Sequence, residues 1–171
     1  MPGRFRKFTM QIRLASLSAD ADPIWAILEP PIRAAETYTL PSDMSRQEAL
    51  AYWFGPQHEV YAAIENAQVL GTYFLRPNQQ GGGSHVANCG YATAPWATGR
   101  GVGRAMCAHS LDRARERGFQ AMQFNFVVST NETAVHLWRS FGFEIVGRLP
   151  GAFRHPNQGF VDALVMYRSL L

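Results

Sequence analysis

The run Ala97-Thr98-Gly99-Arg100-Gly101-Val102-Gly103-Arg104-Ala105 puts three alternating glycines between a strand-like segment and a helix-like one. Glycine lacks a Cβ, so the backbone can turn tightly here and bring its N–H groups close to an anion. A helix opening at about Gly101 adds unpaired donors and the positive end of its dipole. Gly99, Arg100, Gly101, Val102, Gly103 and Arg104 therefore form a candidate seat for the pyrophosphate of a nucleotide-like cofactor. In isolation, a surface turn before an ordinary helix would read the same way. Two familiar phosphate motifs fail: the third glycine of a dinucleotide fingerprint falls on Arg104, and the Gly-Lys-Ser/Thr of a Walker loop is absent.

A chain of 171 residues with 47% hydrophobic content suits one folded domain, since two would each be marginal in size. We take residues 1–9 as a tail leading into the first strand, with Met10 as an alternative start, and residues 10–171 as the domain. The net charge of +3 fits an anionic small ligand. The basic residues are scattered, which argues against a nucleic-acid groove. Cys89 and Cys107 lack metal-ligand spacing, and the histidines form no His-Glu-x-x-His; His109 and His136 read as packing or surface. No metal is expected, and a reduced, cytoplasmic protein is the plain reading. No apolar run approaches membrane-spanning length, and the basic opening lacks a signal peptide's apolar stretch.

Phe8, Met10, Ile12 and Leu14 alternate as in a half-buried strand. Asp22-Pro23 reads as a helix start, with Ile24, Ile27 and Leu28 on one face until Pro30-Pro31 break it. Ser45-Arg46-Gln47-Glu48 is a capping box opening a second helix through Phe54, closed by Gly55. Glu59 to Glu65 and Gln68 to Arg76 predict a hairpin turning at Asn66, and His85 to Ala94 a further strand feeding the glycine corner. The helix after the corner ends at Gly118. A strand over Phe119 to Val128, a short helix over Asn131 to Ser140, and strands over Phe143 to Leu149 and Phe160 to Arg168 complete the chain. This order predicts an α/β fold: one mixed, mostly antiparallel sheet with helices on both faces.

Two motifs make the chain resemble the Gcn5-related N-acetyltransferase (GNAT) family, which uses acetyl-CoA. Thr98-Gly99-Arg100-Gly101-Val102-Gly103 is similar to its Gln/Arg-x-x-Gly-x-Gly/Ala loop. Asn131-Glu132-Thr133-Ala134-Val135-His136-Leu137-Trp138-Arg139-Ser140-Phe141-Gly142-Phe143 is similar to its Asn-x-x-Ala-x-x-Leu-Tyr-x-x-x-Gly-Phe segment. The resemblance implies acetyl-CoA as co-substrate, with Asn131, Ala134 and Trp138 beside it. Thr98 replaces the family's Gln or Arg in a loop that works mainly through backbone N–H groups. Trp138 stands where many members carry a tyrosine that protonates the departing thiolate, a task for which an indole N–H is unsuited. Within the family, His85-Val86-Ala87-Asn88-Cys89-Gly90-Tyr91 and Phe124 to Asn131 are similar to acetyltransferases acting on azetidine-2-carboxylate and related proline analogues. That likeness implicates Asn88, Asn125 and Asn131 around the substrate.

If the strand ending at Ala92-Thr93-Ala94 splays from its neighbour, its free N–H groups can meet the thioester carbonyl and the pantetheine amides. An ordinary strand end before Pro95 is the alternative. Asn88 and Asn125 sit among apolar strand residues, explained equally by substrate contact or by hydrogen bonds that hold the sheet. Glu36 is the acidic candidate for a base or amine-binding group. Tyr38 and Tyr91 are candidate acceptor contacts, with Trp53 and Phe54 either lining the pocket or filling the core. The expected activity is acetyl transfer to a small, amino-acid-like amine. Acetylation of a protein N-terminus or lysine, and a non-catalytic acyl-CoA sensor, are the alternatives; a homodimer is compatible with the chain.

Overall fold

The computed structural model describes residues 9–171. Along the chain run β1 (Gln11–Leu14), α1 (Leu17–Ala34), α2 (Arg46–Trp53), β2 (Glu59–Glu65), β3 (Gln68–Pro77), β4 (Val86–Thr93), α3 (Val102–Glu116), β5 (Ala121–Val128), α4 (Glu132–Ser140), β6 (Glu144–His155) and β7 (Gly159–Ser169). The strands form one seven-stranded sheet in the order β1-β2-β3-β4-β5-β7-β6, antiparallel throughout except where β4 lies parallel to β5.

Alternation along β3 assigns the helices to faces. A Cβ on Gly71 would stand 2.6 Å from Val102 of α3, and the hydroxyl of Tyr73 meets Nδ1 of His109 on the same helix at 2.7 Å. Thr72 and Phe74 point the other way, to α2. There Trp53 Nε1 donates to Thr72 Oγ1 at 3.0 Å, and the Trp53 and Phe74 ring centroids lie 4.9 Å apart. The expected mixed sheet with helices on both faces is the fold observed, a single α/β domain.

Four local readings need correction. Helix α1 begins at Leu17, not at Asp22-Pro23: Ser16 is its cap and accepts from the Ala19 N–H, while Asp20 takes the Ser16 N–H at 2.9 Å and a bidentate pair from Arg13. Asp22 is exposed and pairs with Arg46. The helix also continues through Pro30-Pro31 to Ala34. Ile24, Ile27, Leu28 and Ile32 make one buried stripe on both sides of the prolines, each at most 1% exposed. Burying them stabilises by about 1.5–3 kcal/mol apiece, which together offsets a penalty of about 3 kcal/mol for each of the two consecutive prolines.

At the other end, β6 and β7 extend beyond the expected Leu149 and Phe160 limits to a turn at residues 156–158. Pro150 is tolerated because β6 is an edge strand. In β1 the alternation fails at Leu14, which is 59% exposed, and Phe8 lies outside the described residues. The β2–β3 hairpin does turn at Asn66-Ala67, both at positive φ as a tight two-residue loop requires.

Candidate functional site

The parallel pairing of β4 with β5 covers only Val86↔Ala121 and Ala87↔Met122. Beyond it the strands part, and a cleft of about 440 Å³ opens between them. The parting begins further back than a splay just before Pro95. Asn88 stands at the fork: 8% exposed, it donates from Nδ2 to the Gln123 carbonyl at 2.9 Å and so bridges the strands where the ladder stops.

Register decides which backbone groups face the cleft. Ala94 N–H bonds Leu70 O at 2.8 Å and Asn78 N–H bonds Val86 O at 2.7 Å, so even-numbered β4 residues pair with β3. The N–H and C=O groups of Tyr91 and Thr93 consequently turn toward the opening. The hydroxyl of Tyr38 donates to the Tyr91 carbonyl there. Of the expected Ala92, Thr93 and Ala94 donors only Thr93 is aimed at the cleft; Ala92 and Ala94 spend theirs on β3, and Tyr91 supplies the other.

The glycine corner lies just past the end of β4. Gly99 and Gly101 have φ of 79° and 78°, a region open to glycine at little cost. Gly101 is the N-cap of α3 and contributes no side-chain cap, whereas Ser16, Ser45 and Asn131 cap α1, α2 and α4. The first helical bond is Ala105 N–H to Gly101 O at 3.0 Å, so the Val102, Gly103 and Arg104 N–H groups precede the helical ladder and carry the positive end of the dipole. Gly103 is needed for proximity: a Cβ there would stand 3.3 Å from Leu137 Cδ2 of α4 and 3.9 Å from Thr93 Oγ1. Arg100 pairs with Glu65, and Arg104 reaches Ser140 Oγ at 3.2 Å with its guanidinium over Phe141.

Asn131 and Ala134 line the cleft beside the corner. Asn131 Oδ1 accepts from the Ala134 N–H at 3.3 Å, an ordinary N-cap bond. Trp138, 8% exposed, forms one wall, with its ring centroid 4.8 Å from Tyr91 and 4.9 Å from Phe124. The Tyr91 side chain is directed away from the opposite wall: its hydroxyl meets Ser110 Oγ of α3 at 2.7 Å. Burial pushes the hydroxyls of Tyr38 and Tyr91 well above the ordinary phenol range, so both are neutral donors.

Asn125 is placed differently from the reading as a polar residue inside an apolar strand. It lines the cleft but is exposed, accepting from Gln123 Nε2 at 2.9 Å and donating to Asn78 Oδ1 at 2.6 Å. Its β5 neighbourhood is bulged against β7 between Phe124 and Val127, so simple alternation does not put Asn125 and Val127 on one face. Glu36 is exposed and absent from the lining, although Thr37 and Tyr38 beside it belong to it. Trp53 reaches the cleft from the core, while Phe54 faces a separate hollow.

Among the cleft residues that escaped sequence reading are Thr37, Thr39, Phe74 and Arg76. Phe74 fills the floor by lying over Gly90, where a Cβ would stand 2.6 Å from Cε1 of the ring. Nothing in the local pattern of β3 marks Phe74 or Arg76. Among the described residues no aspartate, glutamate or histidine lines the cleft, and no cluster of three or more metal-ligating side chains occurs. No helix among them is long and apolar enough to cross a membrane.

The arrangement is thus a fork of backbone that has lost its strand partner, with an uncapped helix N-terminus at its open end. The profile of the acetyltransferase (GNAT) family matches residues 24–143. A GCN5-related N-acetyltransferase structure from Kribbella flavida is 40% identical with a TM-score of 0.88, covering 94% of this chain and 97% of that one. The N-acetyltransferase aca1 of Schizosaccharomyces pombe is 27% identical over 151 residues, 78% of this chain and 72% of that protein. The fold is also that of yncA from Salmonella typhimurium, solved with its cofactor acetyl-CoA, at 23% identity and a TM-score of 0.81 over 95% of this chain and 94% of that one.

Proposed function

This chain belongs to the acetyltransferase (GNAT) family and is an N-acetyltransferase; we propose that it carries acetyl from acetyl-CoA to the amine of a small, amino-acid-sized acceptor in the β4–β5 cleft. The observation that carries this reading is the early parting of β4 from β5, which leaves strand backbone facing a cleft beside the uncapped end of α3. The fit to acetyl-CoA is chemical. Unpaired N–H groups at Val102 to Arg104 suit a pyrophosphate, and the backbone of Tyr91 and Thr93 suits the amides of a pantetheine arm added like a strand.

Acetyl-CoA brings an activated thioester. In the transfer the acetyl carbon exchanges its bond to sulfur for one to the acceptor nitrogen; the amine gives up a proton and CoA leaves as the thiol. The chain's own part is to hold both partners and to offer hydrogen-bond donors where negative charge grows. The Thr93 N–H is such a donor. With no carboxylate or imidazole in the lining among the described residues, the acceptor must enter as the neutral amine or lose its proton to water at the open mouth. Activity is therefore expected to climb with pH toward the acceptor's own ammonium pKa. Tyr38, Tyr52 and Phe74 narrow the acceptor side, which favours a small molecule over a peptide.

A thiol-release screen with acetyl-CoA against free amino acids, proline-like cyclic amines, polyamines, aminoglycosides and N-terminal peptides tests this. Turnover with a small amine is expected. Turnover confined to peptides would replace the reading with protein acetylation, and cofactor binding without CoA release would replace it with an acyl-CoA sensor.

The two asparagines separate in the same assay. Asn88→Ala unpairs the Gln123 carbonyl at the fork and should cost about 1–3 kcal/mol of stability. Asn125→Ala, at an exposed site, should change stability by less than about 0.5 kcal/mol while raising the acceptor KM. Melting curves and steady-state kinetics check both. An Asn125→Ala protein with a lowered melting temperature and normal kinetics per folded molecule would assign Asn125 to the sheet alone.

A further inference from the structure

The cleft holds one formally charged side chain among the described residues, Arg76 of β3. It sits opposite Asn88 in the β3–β4 ladder, half-buried, with its guanidinium carbon 5.9 Å from the centroid of the Phe74 ring. Its Nε donates to Asn88 Oδ1 at 3.3 Å, and neither Nη has a protein partner among the described residues. Among the described residues it makes no ion pair, as is also true of Arg104, Arg139, Arg154 and Arg168, but of these five only Arg76 lines the cleft. On its outer side it borders Gln57, His58 and Gln80, none of them acidic.

A guanidinium that is half-buried, within cation–π reach of a ring and held through Nε leaves its two Nη groups free to bind a ligand. That geometry matches a carboxylate. A cationic acceptor would meet repulsion from Arg76 and no acid to offset it. Resting on the small-amine reading above, we propose that Arg76 is a specificity-determining residue that binds a carboxylate on the acceptor, making the substrate class an amino acid rather than a simple amine, polyamine or aminoglycoside. Asn88 orients Arg76 through Oδ1, and so joins the fork of the strands to the recognition of the substrate.

The test compares matched acceptors that differ only at the carboxyl group: proline, prolinamide and pyrrolidine, and alanine, alaninamide and ethylamine. Rates are referred to the neutral amine, since removing the carboxylate also shifts the ammonium pKa. The wild-type kcat/KM should favour the amino acid over its carboxamide by about 10- to 100-fold, the range of a charge-assisted hydrogen bond. Arg76→Gln should erase this preference by raising KM for the amino acid, with the KM for acetyl-CoA unchanged. Arg76→Lys, which keeps the charge but not the fork, should restore part of it and guards against a folding defect. Equal wild-type rates across a series, or a preference that survives in Arg76→Gln, would overturn the role of Arg76 and leave small-amine acetylation standing. No CoA release with any of the six acceptors while a peptide is acetylated would overturn both.

Discussion

Gly103→Val is expected to weaken acetyl-CoA binding by at least about tenfold while the protein stays folded. Gly103 has helical backbone geometry inside α3, so valine there meets no left-handed strain, and its cost as a helix residue is not above that of glycine. What valine does is fill space. Its Cβ would stand 3.3 Å from Leu137 Cδ2 and 3.9 Å from Thr93 Oγ1, in the gap where the first turn of α3 faces α4 and the end of β4. Leu137 can give way by a few tenths of an ångström, so the fold survives, but the approach of an anion to the free N–H groups is obstructed. Gly101→Val makes the contrast. At φ 78° a β-branched residue is strained, so this variant should lose both stability and affinity. Calorimetry of CoA binding beside thermal melts checks the pair. A folded Gly103→Val protein with unchanged CoA affinity would remove the pyrophosphate from this corner.

The second large effect is at Trp138. Its ring is packed against Tyr91, Phe124 and Phe143. As a wall of the cleft, it should tolerate Trp138→Phe with most of the turnover kept, because the aromatic surface survives. Trp138→Ala should destabilise by about 3–5 kcal/mol, since it opens a cavity in an aromatic cluster. A true general acid behaves otherwise: removing its proton costs about 10²–10⁴-fold in turnover whatever the shape of the replacement. Steady-state rates on Trp138→Phe with intact cofactor affinity decide between them, and a loss of that size would make the indole a participant in the chemistry.

Much of this protein is legible in the chain because the signals are local. The glycine corner announces a tight turn into a helix whatever surrounds it, the capping box at Ser45 to Glu48 forms from the four residues that spell it, and Asn131 caps the helix it precedes. The period of α3 places Val102, Met106, Cys107, Leu111 and Ala114 in the core, where they are found. Helix α1 marks where local reading stops. Its two consecutive prolines read as a break, yet the apolar stripe they interrupt is buried by β3, β4 and α2, and that burial is invisible until the sheet exists.

The site divides along the same line. Residues whose placement rests on their own backbone or their immediate neighbours could be located from the sequence: Gly99 to Arg104 at the start of a helix, Asn131 as a helix cap, and the end of β4. The direction of each donor could not, because it follows from the register of β4 on β3, which turns Thr93 toward the cleft and Ala94 away from it. Nor could Glu36 be told from an acid that lines the cleft, Asn125 from a buried polar group, or Arg76 from any other strand arginine. Arg76 acquires its meaning from Asn88 across the ladder, Phe74 beside it, and the absence of a carboxylate in the lining among the described residues. Local chemistry specifies turns, caps and periods through contacts a few residues apart. Exposure, charge pairing and the facing of a cleft depend on which strands meet, and only the closed sheet decides that.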